Sequence, residues 1–134
     1  MREILFRGKT DKGEWEYGDL LNKGFDFETA IRKLYEYKGM LHSSVIKVIP
    51  ETIGQYTGLT DKTDKNGKKI FEGDIVRCYF ADGYEEKGVI KWSDEDVRFA
   101  FVPLDGEYRW GIDNTDKFEV IGNIHDNPEL LKGE

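Results

Sequence analysis

The sequence predicts a mainly β chain: a small antiparallel SH3-like barrel or sandwich with an N-terminal β-hairpin extension and at most one short helix. Three observations carry that prediction. Short apolar runs alternate with polar residues at a period of two, and glycine-containing turn pairs such as Asp82-Gly83 and Asp105-Gly106 punctuate them. The chain also holds 18 Phe, Trp and Tyr residues, the bulky side chains a small β core needs. With 134 residues, 38% of them hydrophobic, it is long enough to bury one core.

Ile4-Leu5-Phe6 and Trp15-Glu16-Tyr17 flank Thr10-Asp11-Lys12-Gly13, where Gly13 can take the positive φ of a tight turn, so a first hairpin is expected. Over residues 26–37 two readings compete. Phe27, Ala30, Ile31, Leu34 and Tyr35 recur at helical spacing, with Asp26 as a cap and Gly39 as a stop. Ile31, Tyr35 and Tyr37 also suit a strand that would pair with residues 45–49 through Lys38-Gly39. Pro50 lacks an amide donor and is expected to stop that strand. A single domain then divides into a hairpin subregion (1–49), a connecting loop (50–69) and a barrel subregion (70–134).

From residue 70 the alternation is cleaner. Val76, Cys78 and Phe80 point to one face, Asp82-Gly83 turns the chain, and residues 88–92 return it. Val97, Phe99 and Phe101 share a face of the next strand. Asp105-Gly106 turns again, residues 108–110 make a short strand, and Phe118, Val120 and Ile124 close the series. Gly73-Asp74-Ile75-Val76 resembles the first strand of many SH3-like barrels, by analogy alone. Phe6-Arg7-Gly8-Lys9-Thr10-Asp11-Lys12, followed by Gly18-Asp19-Leu20, is echoed by Tyr56-Thr57-Gly58-Leu59-Thr60-Asp61-Lys62, followed by Gly73-Asp74-Ile75. That echo predicts two equivalent hairpins.

Charge narrows the function classes. The formal net charge is −7, carried by residues 50–134, so a nucleic-acid duplex would meet mostly repulsion. One local exception is the turn bearing Lys62, Lys65, Lys68 and Lys69, a candidate phosphate-contacting surface for a weak, salt-sensitive nucleic-acid module. No apolar run approaches the roughly 20 residues of a membrane span, the first residues lack a signal-peptide pattern, and the cytoplasm is the expected compartment. One cysteine, Cys78, excludes an internal disulfide.

No catalytic constellation emerges. His42, His125, Cys78 and three serines supply no nucleophile motif, and Cys78 lies in a predicted strand as a small buried hydrophobe. Zinc-ligand spacing is lacking, Asp94-Glu95-Asp96 lacks the alternation and glycine of a calcium loop, and no phosphate-cradling glycine motif occurs. Neither a metal, a cofactor nor catalysis is expected. Tyr56, Tyr84, Tyr108 and Trp110 lie near turns, where aromatic side chains often meet a partner.

Four blocks carry a family resemblance: residues 1–8, the segment from Ile49 to Lys62, Asn66-Gly67-Lys68-Lys69-Ile70-Phe71-Glu72-Gly73-Asp74-Ile75-Val76, and residues 119–131. In this order and over nearly the whole chain they resemble the YopX family of phage and prophage proteins. Residues 22–48 and 84–117 match its pattern poorly. The resemblance implies a bacteriophage or prophage origin and brings no activity with it. Within its signature, Glu51, Thr52, Gln55, Tyr56 and Thr57 are hardest to reduce to backbone needs, which makes them the candidate contact surface for a phage or host protein, or for self-association.

Overall fold

The computed structural model describes residues 3–21, 28–105, 110–113 and 116–132. It divides into two compact units, Met1–Tyr56 and Thr57–Glu134. In the first, β1 (Phe6–Lys9) and β2 (Trp15–Leu21) form the expected hairpin, and β3 (Ala30–Tyr37) and β4 (Met40–Lys47) form another. The first part of β5 (Ile49–Thr60) pairs with β1, and the strands run in the order β4-β3-β2-β1-β5.

Between β1 and β2 a threonine organises the turn. Thr10 Oγ1 accepts the Lys12 and Glu14 N–H groups, each at 3.2 Å. Between β3 and β4, Lys38 (φ +53°) and Gly39 (φ +75°) make a two-residue turn with both central φ angles positive, the type I′ geometry that matches strand twist. Tyr37 pairs with Met40, Tyr35 with His42 and Ile31 with Ile46, so the strand reading of this region holds and the helical one does not over residues 30–37. Helical spacing misled because Ile31, Leu34 and Tyr35 are apolar on both faces of one strand. Asp26 and Phe27 lie outside the described residues. Ala30, Ile31 and Val48 are buried, and Arg7, also buried, places its guanidinium 4.7 Å from the Trp15 ring centroid.

The second unit begins with the end of β5, which continues into the sheet position beside β6 (Lys69–Phe71). Then come β7 (Asp74–Tyr79), β8 (Glu85–Ser93), β9 (Arg98–Pro103), β10 (Trp110–Gly111) and β11 (Lys117–Asn123), ordered β10-β9-β8-β7-β11, all antiparallel. Pro128–Leu131 adds one 3-10 turn. Ile70, Val76, Cys78, Ile90, Phe101 and Phe118 form the core, with Phe101 and Phe118 ring centroids 5.7 Å apart. Both sheets are open and antiparallel, so the mainly β expectation holds, without the closed SH3-like barrel that was one form of it.

Three local expectations change. Residues 49–60 form a strand rather than a loop, and Pro50 lies within it instead of ending one. Thr52, Gly54 and Tyr56 are buried while Ile53, Gln55 and Thr57 are half-buried, a period of two that the proline and two glycines disguise. Val97 is exposed at φ +54°, because the turn after β8 extends to it and β9 starts at Arg98. The two echoed segments differ at their Gly-Asp step: Gly18 sits inside β2, whereas Gly73 (φ +94°) makes the turn between β6 and β7. Gly106, Tyr108 and Arg109 lie outside the described residues.

Candidate functional site

The five β5 candidates separate by what their side chains do. Thr52 is buried; its hydroxyl donates to Ile49 O at 2.6 Å and accepts the Lys9 N–H at 2.8 Å, tying β5 to β1 where their register shifts. Thr57 Oγ1 donates to Ile70 O at 2.8 Å and accepts the Leu59 N–H at 3.1 Å, joining β5 to β6. Tyr56 is buried as well. Only Glu51 is fully exposed, with Gln55 half-buried. Thr52 and Thr57 thus satisfy backbone groups, the work that buried polar side chains usually do.

Lys62, Lys65, Lys68 and Lys69 are all exposed, on a turn ordered by Asp61. Asp61 Oδ1 accepts the Thr63 N–H (2.7 Å), the Thr63 hydroxyl (2.6 Å) and the Asp64 N–H (3.2 Å). Its Oδ2 accepts the Val120 N–H of β11 at 2.8 Å, and Asp64 Oδ2 accepts the Lys68 N–H at 3.0 Å. Burial of Asp61, only 3% exposed, would by itself push its carboxyl up; the hydrogen bonds it accepts outweigh that and hold it below the ordinary carboxylate value. The lysines therefore stand on a fixed turn.

Other polar residues of the signature also lock turns. Asp74 is buried and accepts the Phe71 N–H at 2.8 Å across the β6–β7 turn. Asn123 Oδ1 accepts the His125 and Asp126 N–H groups, both at 2.9 Å, and Asn127 Oδ1 accepts the Asn123 N–H at 3.2 Å. On β7, Arg77 lies 3.3 Å from both Glu85 and Glu119, and the Tyr79 hydroxyl donates to Glu119 at 2.7 Å, cross-strand pairs that brace the sheet.

Among the described residues no group of His, Cys, Asp and Glu is arranged to hold a metal ion, and no helix is long and apolar enough to cross a membrane. Asp94, Glu95 and Asp96 are exposed, with the Asp96 N–H bonded to Ser93 Oγ at 3.1 Å. Cys78 is buried, and its thiol is pushed up to about 11, by burial first and by Asp116 and Glu86 next. A thiol-reactive dye at pH 8 is expected to label the folded chain at least tenfold more slowly than the chain in denaturant. Equal rates would show that Cys78 is accessible. Of the turn aromatics, Tyr84 is exposed, whereas Trp110 packs 4.9 Å from Phe101; Tyr108 lies outside the described residues.

The most exposed apolar surface lies elsewhere, on the β3–β4 hairpin, which the sequence did not single out. Leu34 (55% exposed), Leu41 (72%) and Val45 (60%) share one face. Tyr35, Tyr37 and Met40 are exposed on the other, where the His42 ring stacks on Tyr35 at 5.4 Å. One signal was available: apolar residues at both parities of a strand require cover on both faces, or an interface.

No curated protein matches the chain. The family model described as YopX protein matches residues 5–132, nearly the whole length. Its span takes in the strand-joining Thr52 and Thr57 and the turn-locking Asp61, Asp74, Asn123 and Asn127, and the chain belongs to the YopX family.

Proposed function

We propose that this phage-type protein is a non-catalytic protein-interaction module acting in the cytoplasm of the bacterial host, with the β3–β4 hairpin as its contact surface. One observation carries this reading: of the 13 large apolar side chains exposed among the described residues, six (Leu34, Tyr35, Tyr37, Met40, Leu41 and Val45) fall on one hairpin. Scattered apolar residues are normal on a surface, whereas a set concentrated on one hairpin, three side chains on each of its faces, is the mark of an interaction surface. The earlier candidates on β5 contribute little to it, since Thr52 and Tyr56 are buried and Thr57 is committed to Ile70.

A second reading is supported by the fixed display of Lys62, Lys65, Lys68 and Lys69, which suits phosphate contacts on a nucleic acid. Affinity capture from lysate of infected host cells, with and without nuclease, separates the two. The tagged chain is expected to retain a protein after nuclease treatment and to lose it on L41S/V45S substitution, which changes only exposed side chains. Equal retention by that variant would overturn the hairpin reading. A signal lost with nuclease and salt, and lost when the four lysines become glutamine, would replace it with the nucleic-acid one.

A further inference from the structure

Among the described residues four strands stand at the ends of the two sheets, and three of them are protected against pairing with another chain. β6 has three residues and β10 two. β11 carries Lys117 and Glu119, shifts register between Val120 and Gly122, and has its Val120 N–H covered by the Asp61 carboxylate. Short length, charge, irregularity and covering groups are the usual protections of a sheet edge. Among the described residues β4 shows none of them before its last residue, Lys47. It runs for eight residues in unbroken register with β3, and from Met40 to Ile46 it bears no lysine, arginine, aspartate, glutamate or proline.

The backbone phase of β4 follows from its turn. A two-residue type I′ turn makes its flanking pair, Tyr37 and Met40, a hydrogen-bonded pair, and the alternation then makes His42, Ser44 and Ile46 face β3. Leu41, Ser43, Val45 and Lys47 consequently aim their N–H and C=O groups at the open edge. An incoming antiparallel strand has to match outward-facing residues with outward-facing residues. About Ser43 the sequence of β4 is itself two-fold symmetric in character: an exposed aliphatic residue lies two positions before it (Leu41) and two after (Val45), on the same face.

We propose that β4 pairs antiparallel with β4 of a second copy of this chain about a two-fold axis at Ser43. The proposal rests on the interaction-module reading and names the occupant of its surface. In this register Ser43 faces Ser43 of the second copy as a hydrogen-bonded pair, and Leu41 faces Val45 of the second copy, twice by symmetry. Leu34, directly across from Ser43 on β3, extends the apolar row on each side. A partner of another sequence would need its own strand of the same phase, whereas a second copy supplies the phase, the side-chain match and an absence of like charge without further assumption.

Light scattering after size exclusion, and sedimentation over a range of concentrations, test this on the purified full chain. The wild type is expected to have the mass of a dimer. S43K and S43E each place like charges opposite one another at the axis, on an exposed side chain that leaves the β3–β4 ladder intact, and each is expected to weaken dimerisation at least tenfold. An equimolar mixture of S43K and S43E is expected to restore the dimer, because Lys then faces Glu. A monomeric or trimeric wild type would overturn the proposal, as would two variants that dimerise like the wild type or a mixture that fails to recover. Should the pure chain be monomeric while L41S/V45S still abolishes capture of another protein, self-pairing fails and the interaction module stands.

Discussion

Replacing Asp61 by alanine is expected to destabilise the second unit by about 3 kcal/mol, read as a lowered midpoint of chemical denaturation. Four hydrogen bonds end on that carboxylate, three from Thr63 and Asp64 in its own turn and one from Val120 on β11. Alanine leaves the donors in place with no acceptor in a half-buried setting, and an unsatisfied donor costs more than an average hydrogen bond contributes. Amide exchange should locate the effect, with protection lost at Val120, Thr63 and Asp64 and kept in β8 and β9. A variant with unchanged denaturation and exchange would show that water replaces the carboxylate at no cost.

The same carboxylate sets a pH dependence of known sign. Its acidity is increased on folding, so its contribution is fully present above the ordinary carboxylate pKa of about 4 and is lost as pH falls through the lower value it has in the folded chain. Asp61→Asn keeps the shape and removes the charge. The stability advantage of the wild type over that variant should therefore be level from pH 8 to about pH 5 and shrink below about pH 4.

Legibility of this chain followed the type of information each residue carried. Period-two alternation and Asp-Gly or Lys-Gly turns are local, and they sufficed for the hairpins β1–β2 and β7–β8, while over β3 they left strand and helix both open. Asp61 was visible in the sequence only as part of an Asp-Lys turn; that its second oxygen reaches a strand 59 positions away depends on the tertiary fold. Glu51, Thr52, Gln55, Tyr56 and Thr57 looked like a surface because polar residues in a Gly-containing segment read as a loop. Thr52 and Thr57 are instead polar because β5 has to satisfy carbonyl and amide groups at its junctions with β1 and β6. The hairpin surface was hidden for a different reason. Leu34, Tyr35 and Tyr37 were read only for helix or strand periodicity, and it takes the sheet order to show that, among the described strands, β4 has a neighbour on one side alone.

Phe101 and Gly88 should be coupled, and their coupling tests how tightly the second unit is packed. Gly88 on β8 lies across from Pro103 on β9, and a Cβ there would sit 2.5 Å from Val102 O and 2.7 Å from two atoms of the Phe101 ring. Gly88→Ala has to move a backbone carbonyl as well as a ring, so a cost of about 3 kcal/mol is expected. Phe101 is fully buried, with Trp110 and Phe118 rings 4.9 and 5.7 Å away, and Phe101→Ala is expected to cost about 4 kcal/mol. Either change removes a large part of a typical domain's stability. Phe101→Leu, milder at about 1.5 kcal/mol, allows a double-mutant cycle in a chain that still folds. The ring half of the Gly88→Ala clash vanishes in the F101L background while the Val102 carbonyl half remains. The double variant should consequently lose about 1 kcal/mol less than the two single losses together. Strict additivity would show that the carbonyl alone opposes a side chain at position 88, and full rescue that the ring alone does.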